Sequence, residues 1–156
     1  MSEADSITLF PRWKQAARDF LADGFKDGDI ITHDWLQEHL GFERIDDGAM
    51  LTAQEHKERS FKWLQHVEAF KAEMLEHHRI LLVSVHGEGY RVAPPAEQTG
   101  LAMAKFETEV KTSFRRAGTR IKHVRHEALT EDQRKENVDA IAKLSMLRGM
   151  VRKQIK

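Results

Sequence analysis

The 156-residue sequence predicts a mainly helical α+β protein, with three helices and a small β-hairpin followed by an antiparallel α-helical hairpin. Three observations carry this prediction. Residues 79–95, RILLVSVHGEGYRVAPP, run through an apolar stretch into a Gly-Glu-Gly turn, return through Tyr90, Arg91 and Val92, and stop at Pro94 and Pro95. β-Branched residues bounded by glycine and proline read as two short strands and their turn. A long helical pattern, Thr52 to His78, leads into that hairpin, and two further amphipathic patterns follow it.

The first element is expected from about Thr8 to Asp23, with Phe10, Trp13, Ala17, Phe20 and Leu21 near helical spacing. Pro11 suits its first turn and Gly24 its end. Ile30 and Ile31 suit a short strand. Thr32 caps a helix from His33 to Leu40, which buries Trp35, Leu36 and Leu40 and ends at Gly41. The segment from Phe42 to Leu51 contains Asp46-Asp47-Gly48 and reads as loop. Thr52 with Glu55 three residues on forms a capping box for the long helix. On it, Trp63, Leu64, Val67, Phe70, Met74 and Leu75 share a face about 140° wide, read as core. The opposite face holds Glu58, Lys62, Gln65, Ala69, Ala72, Glu73 and Glu76, with Arg59 and His66 at its edge.

The stretch from Pro94 to Gly100 reads as a hinge. A helix from about Leu101 to Glu127 follows, with Phe106, Val110, Phe114, Ala117, Ile121 and Val124 as its apolar stripe and Gly118 as a costly interruption. Thr130 and Gln133 form a second capping box. The last helix carries Val138, Ile141, Leu144, Leu147 or Ser145, Val151 and Ile155. Two such helices make a hairpin with too little interior to stand alone. It should bury its stripe on the first domain or on a second copy, and we expect a homodimer through residues 100–155.

A helix running straight into a glycine-tipped hairpin resembles the end of a winged-helix DNA-binding domain. The likeness is greatest to the response-regulator type, whose wing closes with G-x-G-Y-R; here Gly87, Gly89, Tyr90 and Arg91 stand in that pattern. The resemblance implies a winged helix-turn-helix over residues 6–95 and a third helix that enters the major groove. Lys57, Arg59, Lys62, Gln65 and His66 are then the candidates on the third helix. Arg79, His86, Gly87, Gly89 and Arg91 are those of the wing. Lys and Arg neutralise phosphate, and Arg and Gln can pair bidentately with base edges. Glu73, Glu76 and Glu88 oppose DNA. The 100–155 hairpin resembles no family.

Charge is divided along the chain. Residues 1–98 carry 11 Lys and Arg against 18 Asp and Glu, net −7; residues 99–156 carry 14 against 7, net +7. Such asymmetry points to nucleic acid or to mutual association. The most basic stretch is Ser113 to His126, where Arg115, Arg116, Arg120, Lys122, Arg125, His123 and His126 crowd one helix and its end. Phosphate binding explains that density; so does docking on an acidic surface.

Other classes find less support. Without cysteine the chain has neither disulfide nor thiolate chemistry. His123 and His126 lack a third-ligand motif, Gly87-Glu88-Gly89 lacks the ending of a phosphate loop, and no nucleophile motif stands out. We therefore expect no metal, no cofactor and no enzyme. No run reaches the roughly 18 apolar residues of a membrane span, and the acidic N-terminus does not read as a secretory signal, so a cytoplasmic location is expected. The expected function is non-catalytic binding of double-stranded DNA, as a dimeric transcription regulator or replication or segregation factor. The alternative is a protein-interaction module, an adaptor or inhibitor that docks on a larger machine through the acidic N-terminal domain.

Overall fold

The computed structural model describes residues 10–45 and 48–155. Thr8 of the expected first helix, the start of the expected 6–95 domain, and Asp46 and Asp47 of the expected loop lie outside them. Two compact units divide the chain, residues 1–98 and 99–156, and this boundary falls where the charge changes sign. The described chain is mainly helical, with one three-stranded antiparallel sheet.

The N-terminal unit opens with helix α1, Arg12–Asp23, directly after Pro11. It stops where Gly24 turns left-handed, at φ 73°. Strand β1, Ile30–Thr32, and helix α2, His33–His39, follow without a gap, because the Thr32 hydroxyl accepts the Trp35 N–H and caps the helix. The Thr52 capping box starts α3, Ala53–His78. Strands β2, Leu82–Val85, and β3, Gly89–Val92, complete the unit, and β3 lies between β1 and β2. Tyr90 stands opposite Ile31 on one side and Ser84 on the other.

The interior is small and aromatic. Ala16, Ala17 and Phe20 of α1 meet Leu36 and Leu40, the α3 residues Val67, Phe70 and Met74, and Ile31, Leu82 and Val92 of the sheet. Phe20 stacks on Phe25 at 4.7 Å and meets Trp35 and Phe70 edge-on. Trp35 is half-buried, and its indole N–H donates to Asp23 at 2.8 Å, so its polar end is satisfied. The expected α3 face is only partly core. Leu64 and Leu75 are exposed, whereas Glu73, expected outside, is half-buried. A helix this long buries only the strip that its partners reach, and here that strip centres on Val67, Phe70 and Met74.

The expected hinge is helical. Helix α4 spans Pro95–Lys122, so Gly100 lies inside it. Proline ends a strand, but it also fits the first turn of a helix, where its missing N–H costs nothing. Glu97 then places negative charge in the first turn, where the helix dipole favours it. The helix ends at Lys122 rather than Glu127, and a 3-10 turn over His126–Ala128 reverses the chain. That reversal brings Val124 and Leu129, both half-buried, to the hairpin's turn. The Thr130 capping box opens α5, Glu131–Gln154.

In the C-terminal unit α4 and α5 run antiparallel. Asn137 donates to the Ile121 carbonyl at 3.4 Å, and a Cβ on Gly118 would lie 4.0 Å from Leu144. The facing rows are Val110, Phe114, Ala117 and Ile121 against Ala140, Leu144, Val151 and Ile155, all half-buried. Four residues read as stripe, Phe106, Val138, Ile141 and Leu147, are exposed instead. Neither helix has a fully buried residue.

Candidate nucleic-acid interface

The third-helix candidates divide by position. At about 100° per residue, the side of α3 opposite Val67, Phe70 and Met74 is centred on Phe61, Gln65, Glu68 and Ala72. Lys57, Lys62 and Gln65 are exposed on or beside it. Arg59 and His66 are held on the core side. The Arg59 guanidinium donates to the Glu43 carbonyl and lies 5.8 Å from the centre of the Phe42 ring. His66 meets Trp13 and Phe42 edge-on, and its Nδ1 lies 2.8 Å from the Lys62 carbonyl oxygen. These two residues anchor the 42–45 loop and α1 against α3 rather than facing outward.

The outward side of α3 is also less basic than its lysines suggest. Phe61 is 62% exposed and Leu64 59% exposed, between the carboxylates of Glu58 and Glu68. Reading the whole apolar stripe as core hides Leu64, and Phe61 lies outside both predicted faces. The clue was the stripe's width: Leu64 sits about 60° from Val67 around the helix, toward Phe61.

At the hairpin tip, Val85 O accepts the Glu88 N–H at 3.1 Å. Gly87 is the third residue of that turn, with φ 76°, a conformation that glycine adopts without strain. Gly89 has a different reason to be glycine. It is buried, with φ 149°, and a Cβ there would lie 1.9 Å from the Ile31 carbonyl oxygen. Its role is the close approach of β3 to β1, not the wing tip. His86 is exposed at the tip. Arg91 is not, since its guanidinium donates to Glu97 at 2.8 Å. Arg79 is exposed and left-handed, φ 59°, the one such non-glycine among the described residues, and its carbonyl accepts from Gln98 at 3.2 Å.

The basic helix is the most coherent cationic surface. Arg115, Arg116 and Lys122 project from the side of α4 opposite Val110, Phe114 and Ile121; Arg120 lies at its edge, and Arg125 in the turn beyond. Lys111, not singled out from the sequence, extends this face toward the start of α4; Lys105 beyond it pairs with Glu109 at 3.9 Å. Lys111 to His126 is 16 residues without a carboxylate. None of Lys111, Arg115, Arg116, Arg120, Lys122 and Arg125 forms an ion pair with a described residue. From Lys111 to Lys122 the face spans about 16 Å of helix. Thr108 and Thr119 between the cations bond back to the Ala104 and Arg115 carbonyls at 3.0 Å, and their hydroxyls stay near the surface.

Among the described residues no three His, Asp or Glu side chains converge as a metal site would require, and no helix is long and apolar enough to cross a membrane. Comparison of the chain with protein-family models, curated proteins and solved structures finds no match.

Proposed function

We propose that the chain is a non-catalytic protein that binds double-stranded DNA, with a winged helix-turn-helix as its N-terminal unit. The order α1-β1-α2-α3-β2-β3, with β3 between β1 and β2 and a glycine-tipped turn directly after the long helix, supports the winged reading. DNA binding rests chiefly on one observation, the cationic face of α4 from Lys111 to Lys122, a stretch without a carboxylate. Crowded Arg and Lys without partners repel one another, and a polyanion relieves that repulsion while releasing its own counterions. Lys57, Lys62 and Gln65 are then the α3 residues available to bases or phosphates. A regulator and a replication or segregation factor both fit such a surface.

Anisotropy titration of labelled genomic duplexes at several salt concentrations tests this reading. Binding that weakens steeply with salt is expected. No binding by the full chain at low salt ends the proposal.

One observation favours the rival protein-docking reading. Phe61 and Leu64 sit exposed on α3 between Glu58 and Glu68, with Ile45, Met50 and Leu51 exposed in the preceding loop. An exposed apolar patch of this kind suits a protein segment better than DNA. Phe61→Ala with Leu64→Ala should leave DNA affinity unchanged if α4 carries the binding. A loss of partner capture with intact DNA binding would favour docking at this face.

A further inference from the structure

The hairpin of α4 and α5 carries an open groove along its seam. Near the C-terminal end of α5 the groove encloses about 450 Å³. Val110 and Phe114 of α4 and Val151 and Ile155 of α5 form its floor, all half-buried. Lys111, Arg148 and Arg152 stand exposed at its rim, and none of the three pairs with a described carboxylate. Among the described residues, Glu107 is the one acid that lines it. The cations continue along the hairpin. At about 100° per residue, Arg134, Arg148 and Arg152 fall within about 40° of one another around α5, and the row runs about 27 Å. Ile141, also exposed, lies in that row. On α4, Arg115 and Lys122 lie within about 40° of Lys111.

We propose that this groove takes an acidic amphipathic helix of another protein, whose apolar stripe lies on the seam and whose flanking carboxylates meet the cationic rim. The inference goes beyond duplex binding and does not depend on it. Two packed helices leave a furrow beside their seam, and a third helix that fills it completes a bundle core. The C-terminal unit lacks such cover, since neither of its helices buries a residue fully. The rim sets the sign of the partner. Three cations against one carboxylate attract negative charge, whereas a second copy of this unit, net +7, brings more of the same sign. The floor sets the partner's polarity. A duplex offers phosphates to the cations but leaves the apolar floor uncovered. A single strand stacks its bases on exposed rings, and this floor has only the half-buried Phe114 among aliphatic side chains. A lone fatty carboxylate leaves most of the cationic row unpaired. An acidic helix repeats its carboxylates every three or four residues beside its stripe, the spacing of Arg148 and Arg152.

The probe is a labelled peptide of about four helical turns, with leucine on one stripe and glutamate on both flanks. One control has the same composition in scrambled order; another has lysine in place of glutamate. Anisotropy titration with the full chain, without DNA, should show micromolar binding of the probe, binding weaker by about tenfold or more for the scrambled peptide, and none for the lysine peptide. Amide NMR should place the largest shifts within residues 107–114 and 148–155. Arg148→Ala with Arg152→Ala should weaken probe binding by about tenfold or more. Lys143→Ala with Lys153→Ala removes the same charge from other sides of α5 and should change it by less than about twofold. Val151→Gln with Ile155→Gln keeps the charge and should also weaken binding, with the helical circular dichroism retained. The proposal is overturned if the wild type leaves the probe free, if the scrambled peptide binds as well, or if the two charge pairs lose equally. Shifts centred outside the groove overturn it too. If the glutamine pair loses its helices, the charge pairs and the shift map decide. A chain that binds duplex but not the probe keeps the DNA reading and loses this one; binding of the probe but not duplex does the reverse.

Discussion

Phe20, Phe70, Ile31 and Met74 of the N-terminal unit lose essentially all their solvent to residues of that same unit, drawn from α1, α2, α3 and all three strands. In the C-terminal unit, α4 and α5 are at least twice as long as α1 yet bury no residue fully. One unit owes its shape to a closed aromatic interior. The other owes it to helix propensity, two capping residues and a half-covered seam. Length of helix is therefore a poor guide to where stability resides. Charge is divided the same way: the well-packed unit is acidic, and the one that lacks an interior is basic.

The sharpest way to break this comparison is to damage each interior. Phe70→Ala should destabilise the N-terminal unit by about 3–5 kcal/mol, the usual cost of emptying a fully buried aromatic site. Phe114→Ala, at the half-buried seam, should cost markedly less in the full chain. Chemical denaturation followed by tryptophan fluorescence reports the first unit, because all three tryptophans, Trp13, Trp35 and Trp63, lie there. Equal costs would mean that the seam is as well packed as the aromatic interior.

The two hairpin glycines come next. Gly89→Ala should cost about 2–4 kcal/mol, since β1 must move away from the new methyl group and the positive φ is strained. Gly87→Ala, with open space around it, should cost only the strain of φ, about 1–2 kcal/mol. Thermal unfolding of the two variants ranks them. The reverse order would contradict the close approach of β3 to Ile31.

Sequence reading succeeded where the determinant is local. Thr32, Thr52 and Thr130 each accept a backbone N–H three residues on, and their helices start where those side chains predict. It misses contacts whose determinant is distant. Gly89 reads from its motif as a wing glycine, and the contact that excludes a side chain there comes from Ile31, in another strand far away in the chain. Arg91 looked free for the same site because Pro94 to Gly100 read as a hinge; folded as the start of α4, that segment brings Glu97 to its guanidinium. Arg59 and His66 lay at the edge of the predicted solvent face of α3, and only the packing of Phe42 and Trp13 decides which way that edge turns. The basic cluster was legible because it depends on composition and helical spacing alone.

Charge offers a gentler probe of the same division. Arg115→Ala with Arg116→Ala should weaken binding to every duplex alike and flatten the salt dependence by about 0.9 per lost phosphate contact. Lys57→Ala with Lys62→Ala, on the acidic unit, should have the smaller effect on salt dependence, and any effect it has should vary with DNA sequence. A larger loss from the α3 pair would move the binding surface from the basic unit to the acidic one.

The smallest expected effect concerns the α3 cap. The Thr52 backbone N–H donates to the Glu55 carboxylate at 2.8 Å and its hydroxyl donates at 3.0 Å, and both bonds favour the charged form. They hold the Glu55 carboxyl below the usual carboxylate range, the backbone bond contributing most. A carboxyl lowered in the folded state adds stability that is fully present above the ordinary glutamate value, about 4.3, and is lost as the pH falls through the lowered value. Glu55 is fully exposed, so solvent screens the gain and the effect should stay local to the first turn of α3. A carboxyl-detected NMR titration should find Glu55 among the last glutamates to protonate, while the Thr52 amide shift moves with it. Thr52→Ala keeps the backbone bond and removes the hydroxyl, so the Glu55 value should rise part of the way to normal. Glu55 titrating with the bulk of the glutamates in the unmodified chain would mean that this cap is open in solution and that α3 begins later than Ala53.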